Sequence, residues 1–275
     1  VLLPRSKQPT SLADSDAAAR VRMGEVPSPH VQGDPARALL GRRTVSYDAA
    51  WLKDQYARHL RATQDAGVVS SDWGYSFCYS PIGLISTAKV GIVGLNPAGG
   101  RDMVGPSTEQ DQSFEHPGFA YVDQPWGDGD VLNPLQQQIE KLIERLPVNA
   151  DEMFAAQFVP YRSPDWASLP MRAMALETFR PVWADLLSRS SVRLWICLGD
   201  VAAGEMRSIL DTGSPTDHRS GWGNTRIRVA RNPEGVVVAS LPHLSRYKLF
   251  SMPEGRRAQA EFAISEAVRV SGVTE

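Results

Sequence analysis

Four short apolar runs, each breaking into small or turn-forming residues, constrain the fold of this chain most: Val90 to Leu95, Met153 to Pro160, Val192 to Leu198 and Val236 to Leu241. Runs of this length bounded by turn residues read as strands covered on both faces. Between them, apolar residues recur at helical spacing. Leu135, Ile139, Leu142, Ile143 and Leu146 mark one helix, Met171 to Leu187 another, interrupted or kinked near Pro181, and Val201 to Leu210 and Gly255 to Val270 two more. A further amphipathic helix is expected from Asp48 to Thr63, with Asp48 as its N-cap. Thr225 to Ala230 alternates like an edge strand, and Tyr75 to Tyr79 reads as a short strand or ordered loop. Strands alternating with helices predict an α/β layer structure with a mostly parallel sheet, whose ligands gather at the carboxyl ends of the strands.

Residues 1–45 are rich in Pro, Ser, Ala, Asp and Arg without a sustained period, which predicts an N-terminal arm, flexible or wrapping, beside a single domain over 46–275. A chain of 275 residues with 42% hydrophobic and 22% charged residues suits one sizeable core. No apolar run approaches the roughly 20 residues that span a bilayer, and no charged-then-apolar signal segment opens the chain, so a cytoplasmic protein is expected. Cys78 and Cys197 are too few for a disulfide framework or a four-thiolate iron–sulfur cluster and read as reduced packing residues. The zinc deaminase signature is absent as well. A net charge of −2 gives no global pull toward DNA, so any basic surface has to be local.

Lys89 to Gly100, K-V-G-I-V-G-L-N-P-A-G-G, is the most informative stretch for function. Pro97 forces an extended conformation on Asn96 and ends sheet pairing, while Ala98, Gly99 and Gly100 let backbone approach a ligand closely. A tight turn after a core strand is the plain alternative.

This strand and turn resemble the first motif of the uracil-DNA glycosylase superfamily, a Gly-x-Asn-Pro-Gly or Gly-Gln-Asp-Pro turn that positions the hydrolytic water. Later segments follow in matching order. F-A-A-Q-F-V-P-Y-R-S-P looks like the segment in which these enzymes place an Asn that reads a pyrimidine edge, here Gln157, followed by a polar loop whose Arg162 and Ser163 would bind DNA. I-C-L-G-D-V-A-A looks like a structural strand-to-helix turn. S-L-P-H-L-S-R-Y-K is similar to the last motif, typically His-Pro-Ser-x-x-Ser. Aligning on proline puts Leu241 at the catalytic position. Aligning on the imidazole puts His243 there, which the chemistry favours because leucine cannot donate a hydrogen bond; a structural histidine is the other reading. The resemblance covers roughly residues 85 to 270. It implies a three-layer fold with a central, mostly parallel four-stranded sheet flanked by helices, in the Asn-Pro branch without an iron–sulfur cluster.

What it implies chemically is a monofunctional DNA glycosylase, an N-glycosyl hydrolase acting in base excision or antiviral defence without a cofactor or metal. Hydrolysis of an N-glycosidic bond builds positive charge on the sugar and negative charge on the leaving base, so the site must orient water and stabilise an anion. Asn96 would hold the water and His243 would donate to the leaving base. If a carboxylate serves as base, Asp102 is closest in sequence, with Asp111 behind it. The target must leave the stack, and Phe119 and Tyr121 would receive it, unless they simply anchor the long loop from Arg101 to Asp130. Ser245, Arg246 and Lys248 would grip phosphates.

Ala98 and Gly99 stand where the strictest uracil enzymes carry a bulky Tyr, leaving space at pyrimidine C5. Gln157 in place of Asn alters the reach into the pocket. The expected substrate is therefore DNA containing uracil or a C5-modified pyrimidine, with glucosylated hydroxymethylcytosine of phage DNA as a refinement, bound by a monomer that needs no membrane. A non-catalytic reader of modified bases, or a small-molecule or nucleotide hydrolase using the same cleft, are the competing expectations; the phosphate loop of one nucleotide-hydrolase class is absent.

Overall fold

The computed structural model describes residues 47–68, 73–98, 114–127 and 130–274, all within one unit, Ser46–Glu275. The arm expected over residues 1–45 lies outside them, as do Gly99, Asp102 and Asp111.

The apolar runs form strands β1 (Val90–Gly94), β2 (Phe154–Gln157), β3 (Leu194–Leu198) and β6 (Val237–Leu241), in which every residue is buried. They pair in parallel in the order β2-β1-β3-β6. The sheet has six strands rather than four, because an antiparallel pair, β4 (Thr216–Arg219) and β5 (Arg226–Arg231), extends it past β6. Thus β5, expected at an edge, lies inside the sheet, and β4 holds the edge. The polar sequence of β4, Thr-Asp-His-Arg, has no apolar alternation to reveal it.

Helices cover both faces, giving three layers. On one, α3 (Pro134–Ile143) and α6 (Glu254–Ser271) pack Ile139, Leu142, Ala263 and Ile264 against Val90, Ile92, Ile196 and Ala239. On the other, α1 (Ala49–Asp65), α4 (Arg172–Ser188) and α5 (Asp200–Ile209) pack Leu52, Phe179, Trp183 and Met206 against Val93, Phe154 and Trp195. Asp48 caps α1, accepting from the Trp51 amide at 2.8 Å. Helix α4 continues through Pro181 instead of breaking there. Tyr75 to Tyr79 is an ordered segment held by isolated bridges to Tyr161 and Ala156. No helix among the described residues is long and apolar enough to cross a membrane.

Candidate active site

Because β1, β2, β3 and β6 are parallel, the turns that follow them all leave the same edge of the sheet. The turn after β1 is zipped onto the chain leaving β2. Phe158 and Val159 donate their amides to the carbonyls of Gly94 and Leu95 at 2.8 and 2.9 Å, Ser163 donates to Pro97 O at 3.3 Å, and Ala98 forms a parallel bridge with Ser163. Arg162 Nη1 reaches Ala98 O at 2.7 Å. Arg162 and Ser163 therefore brace the first turn from within the protein. Ser163 is fully buried, its hydroxyl engaged within the protein rather than turned to the DNA it was expected to bind.

Asn96 sits in this brace half-buried. Its Nδ2 donates to Ser163 Oγ at 2.8 Å and to the carbonyls of Tyr161 and Pro97, each at 3.3 Å. Carbonyl oxygens can only accept, so the amide orientation is fixed by its partners. Ser163 Oγ in turn donates to Asp165 O at 2.7 Å. With the nitrogen committed, Oδ1 is the atom of this amide left to accept, and no hydrogen bond to it is made among the described residues.

Gln157, at the end of β2, lies beside Gly94 in the ladder. It is 4% exposed; its Nε2 donates to the Tyr121 hydroxyl at 3.4 Å, and Oε1 is buried without a hydrogen-bond partner. The amide lies directly over Gly94, where a Cβ would come within 2.2 Å of Oε1. Glycine at position 94 is what admits it.

Phe119 and Tyr121 stand behind Gln157, 3% and 1% exposed, with ring centroids 5.7 Å apart. Neither presents an uncovered face for stacking. They anchor the segment, packing with Tyr79 and Trp126, and burial pushes the Tyr121 phenol's pKa well up. Sequence reasoning missed the residue that holds this segment. Gln136 is fully buried, its Oε1 accepting from the amides of Trp126 and Asn133 and its Nε2 donating to the carbonyls of Ala120, Tyr121 and Gln124. The signal was present as a capping box, Asn133-Pro134-Leu135-Gln136.

His243 follows β6 at the same edge. Its Nδ1 lies 2.8 Å from Ser245 Oγ, and its carbonyl accepts from the amides of Arg246 and Tyr247, forming a tight turn. His243 is exposed, yet the chain packed beside it partly desolvates the ring and lowers its pKa, favouring the neutral form. If Ser245 is the donor in this pair, Nε2 carries the proton and points outward as a donor. Ser245 so orients the ring, where a phosphate contact was expected. Arg246 and Lys248 are exposed, the Arg246 guanidinium lying 5.7 Å from the Tyr247 ring.

A cleft of about 270 Å³ opens here, lined by Gly199, Asp200, Asn224, Arg226, Arg228 and His243 among others. Asn96 and Gln157 do not line it: strand β3 stands between β1 and β6. A larger hollow of about 440 Å³ lies at the opposite end of β1, beside Thr87, Lys89 and Asn149, and none of Asn96, Gln157, Phe119, Tyr121 and His243 borders it.

Neither a protein-family model nor a curated protein sequence matches this chain. Among the described residues no three of His, Cys, Asp and Glu gather into a metal site. Cys78 and Cys197 are both free and buried, and burial raises the pKa of both thiols.

Proposed function

We propose that the chain is a DNA glycosylase of the uracil-DNA glycosylase type, hydrolysing the N-glycosidic bond of a flipped-out uracil or C5-modified pyrimidine. The observation that carries this reading is the fixed amide of Asn96. Its nitrogen is consumed by the Tyr161–Ser163 segment, which leaves Oδ1 as the acceptor of a fixed amide, able to hold a water molecule without being reoriented at the moment of reaction. An asparagine serving only to close a turn would not need two acceptors 65 and 67 residues away along the chain.

The neighbouring turns support the same chemistry. The Oε1 of Gln157 is buried without a partner, and a base that opened its cover would donate to it through the N3–H of uracil or the exocyclic amine of a cytosine-type base. Neutral His243, donating through Nε2, would stabilise the anion of the departing base. Strand spacing of about 4.8 Å puts the turns after β1 and β6 roughly 10 Å apart across β3, and the nucleotide would bridge them. Ala98, exposed and small, leaves room at C5, which extends the substrate range to hydroxymethylated and glucosylated cytosines and the role to antiviral defence as well as base excision.

Purified protein should leave alkali-labile abasic sites in oligonucleotides carrying the correct base from a panel of uracil, hydroxymethylcytosine and glucosylated hydroxymethylcytosine. Loss of this cleavage in Asn96→Ala would assign it to the site. An intact panel throughout would reject the reading.

A further inference from the structure

The β4–β5 hairpin carries a feature that sheet stability does not explain. In the antiparallel ladder Asp217 faces Arg228, and the two form an ion pair at 3.3 Å. One step nearer the tip, on the same face, Arg219 faces Arg226. Directly opposed like charges, with Cβ atoms about 5 Å apart, destabilise a sheet, and among the described residues neither arginine has a carboxylate partner. Arg226 is turned to the carbonyls of Asn224 and Thr225, each at 3.2 Å.

The pair occupies a particular place. Register pairs Arg228 with Ser240, so Arg226 lies just beyond the carboxyl end of β6, beside Pro242 and His243, and lines the cleft they share. Next to it the tip of the hairpin is rigid. Ser220 and Thr225 bond through their hydroxyls, and Thr225 donates its amide to Trp222 O at 3.0 Å. Gly221, at φ +79°, presses against α6, where a Cβ would meet Arg256 O at 2.1 Å. This pinned turn holds Trp222 outward, 40% exposed, against the edge of Tyr247, whose ring Arg246 overlies. In a chain of net charge −2, Arg219, Arg226, Arg246 and Lys248 are thus gathered around two aromatic rings at the edge where the catalytic turns emerge.

We propose that the β4–β5 hairpin is a nucleic-acid-binding strip: Arg219 and Arg226 clamp a backbone phosphate beside the target nucleotide, and Trp222 stacks on a flanking base. A phosphate between the two guanidinium groups relieves their repulsion, and an aromatic ring beside basic residues suits sequence-tolerant stacking. The strip rests on the reading of the chain as acting on DNA, but it is tested by binding alone.

The experiment measures affinity of the full chain for a fluorescein-labelled oligonucleotide holding only ordinary bases, across a salt series, with base release from the modified panel assayed in parallel. Arg219→Ala together with Arg226→Ala should lower the slope of log affinity against log salt by about 1, and Trp222→Ala should weaken binding roughly tenfold while Trp222→Phe largely restores it. Arg219→Ala alone, at an exposed side chain without hydrogen bonds among the described residues, guards against misfolding and should still lower the slope. Weakened binding with no base release from any DNA keeps the strip and removes the glycosylase reading. Wild-type affinity and salt slope in all these variants, with base release intact, removes the strip and keeps the glycosylase.

Discussion

His59 and Gly94 show how single residues position the site without touching substrate. His59, 3% exposed on α1, packs its ring 4.5 Å from that of Tyr161, whose carbonyl holds Asn96. Neither ring nitrogen has a hydrogen-bond partner, and burial lowers its pKa to about 4. The unfolded chain, titrating near 6.5, therefore binds the proton first as pH falls, so stability that is full above about pH 6.5 is lost progressively down to about pH 4. By about pH 4.5 His59 should account for a loss of about 2–3 kcal/mol. Urea unfolding at about pH 7 and 4.5 should show His59→Phe, which titrates no proton there, losing that much less than the wild type; equal losses would refute the assignment. Gly94→Ala should leave the fold standing, because the obstructing atoms belong to the flexible end of Gln157. It should displace that amide and cut base release by ten- to a hundredfold, with melting temperature little changed. A variant releasing base at the wild-type rate would show that Gln157 does not read the base.

At the scale of elements, the turn after β1 and the chain after β2 behave as one piece, and the Ala120–Gln136 segment as another, held by a single glutamine. Replacing that glutamine, Gln136→Leu, strands two amides and three carbonyls. It should cost about 2–4 kcal/mol in denaturant unfolding and raise KM more than it lowers kcat. The four parallel strands were legible as apolar runs, and α1 from its cap and periodicity, because burial and capping leave local patterns. The β4 strand was not legible, since a polar edge strand is specified by its partner rather than by its own residues. Asn96 could be picked out from its Asn-Pro turn, but not its bracing, which depends on Tyr161 and Ser163 far along the chain. Likewise, the burial of Phe119 and Tyr121 is a tertiary outcome that an aromatic-rich loop does not announce.

Across the whole molecule, a three-layer α/β frame brings chemically useful side chains to one edge of the sheet: a braced amide after β1, an unpartnered acceptor at the end of β2, and an exposed imidazole after β6. The frame is rigid where these groups are rooted, with every residue of β1, β2, β3 and β6 buried. Charge is handled locally, on the hairpin and the β6 turn, in a chain that is nearly neutral in total. The central claim is that Asn96, locked by the Tyr161–Ser163 segment, holds the attacking water. Its most direct test is single-turnover release of free base, followed by mass spectrometry, for the wild type, Asn96→Ala and Ser163→Ala. Release should fall about a hundredfold or more in Asn96→Ala and about tenfold in Ser163→Ala, which loosens the amide without removing it; release by Asn96→Ala at the wild-type rate would take Asn96 out of the reaction.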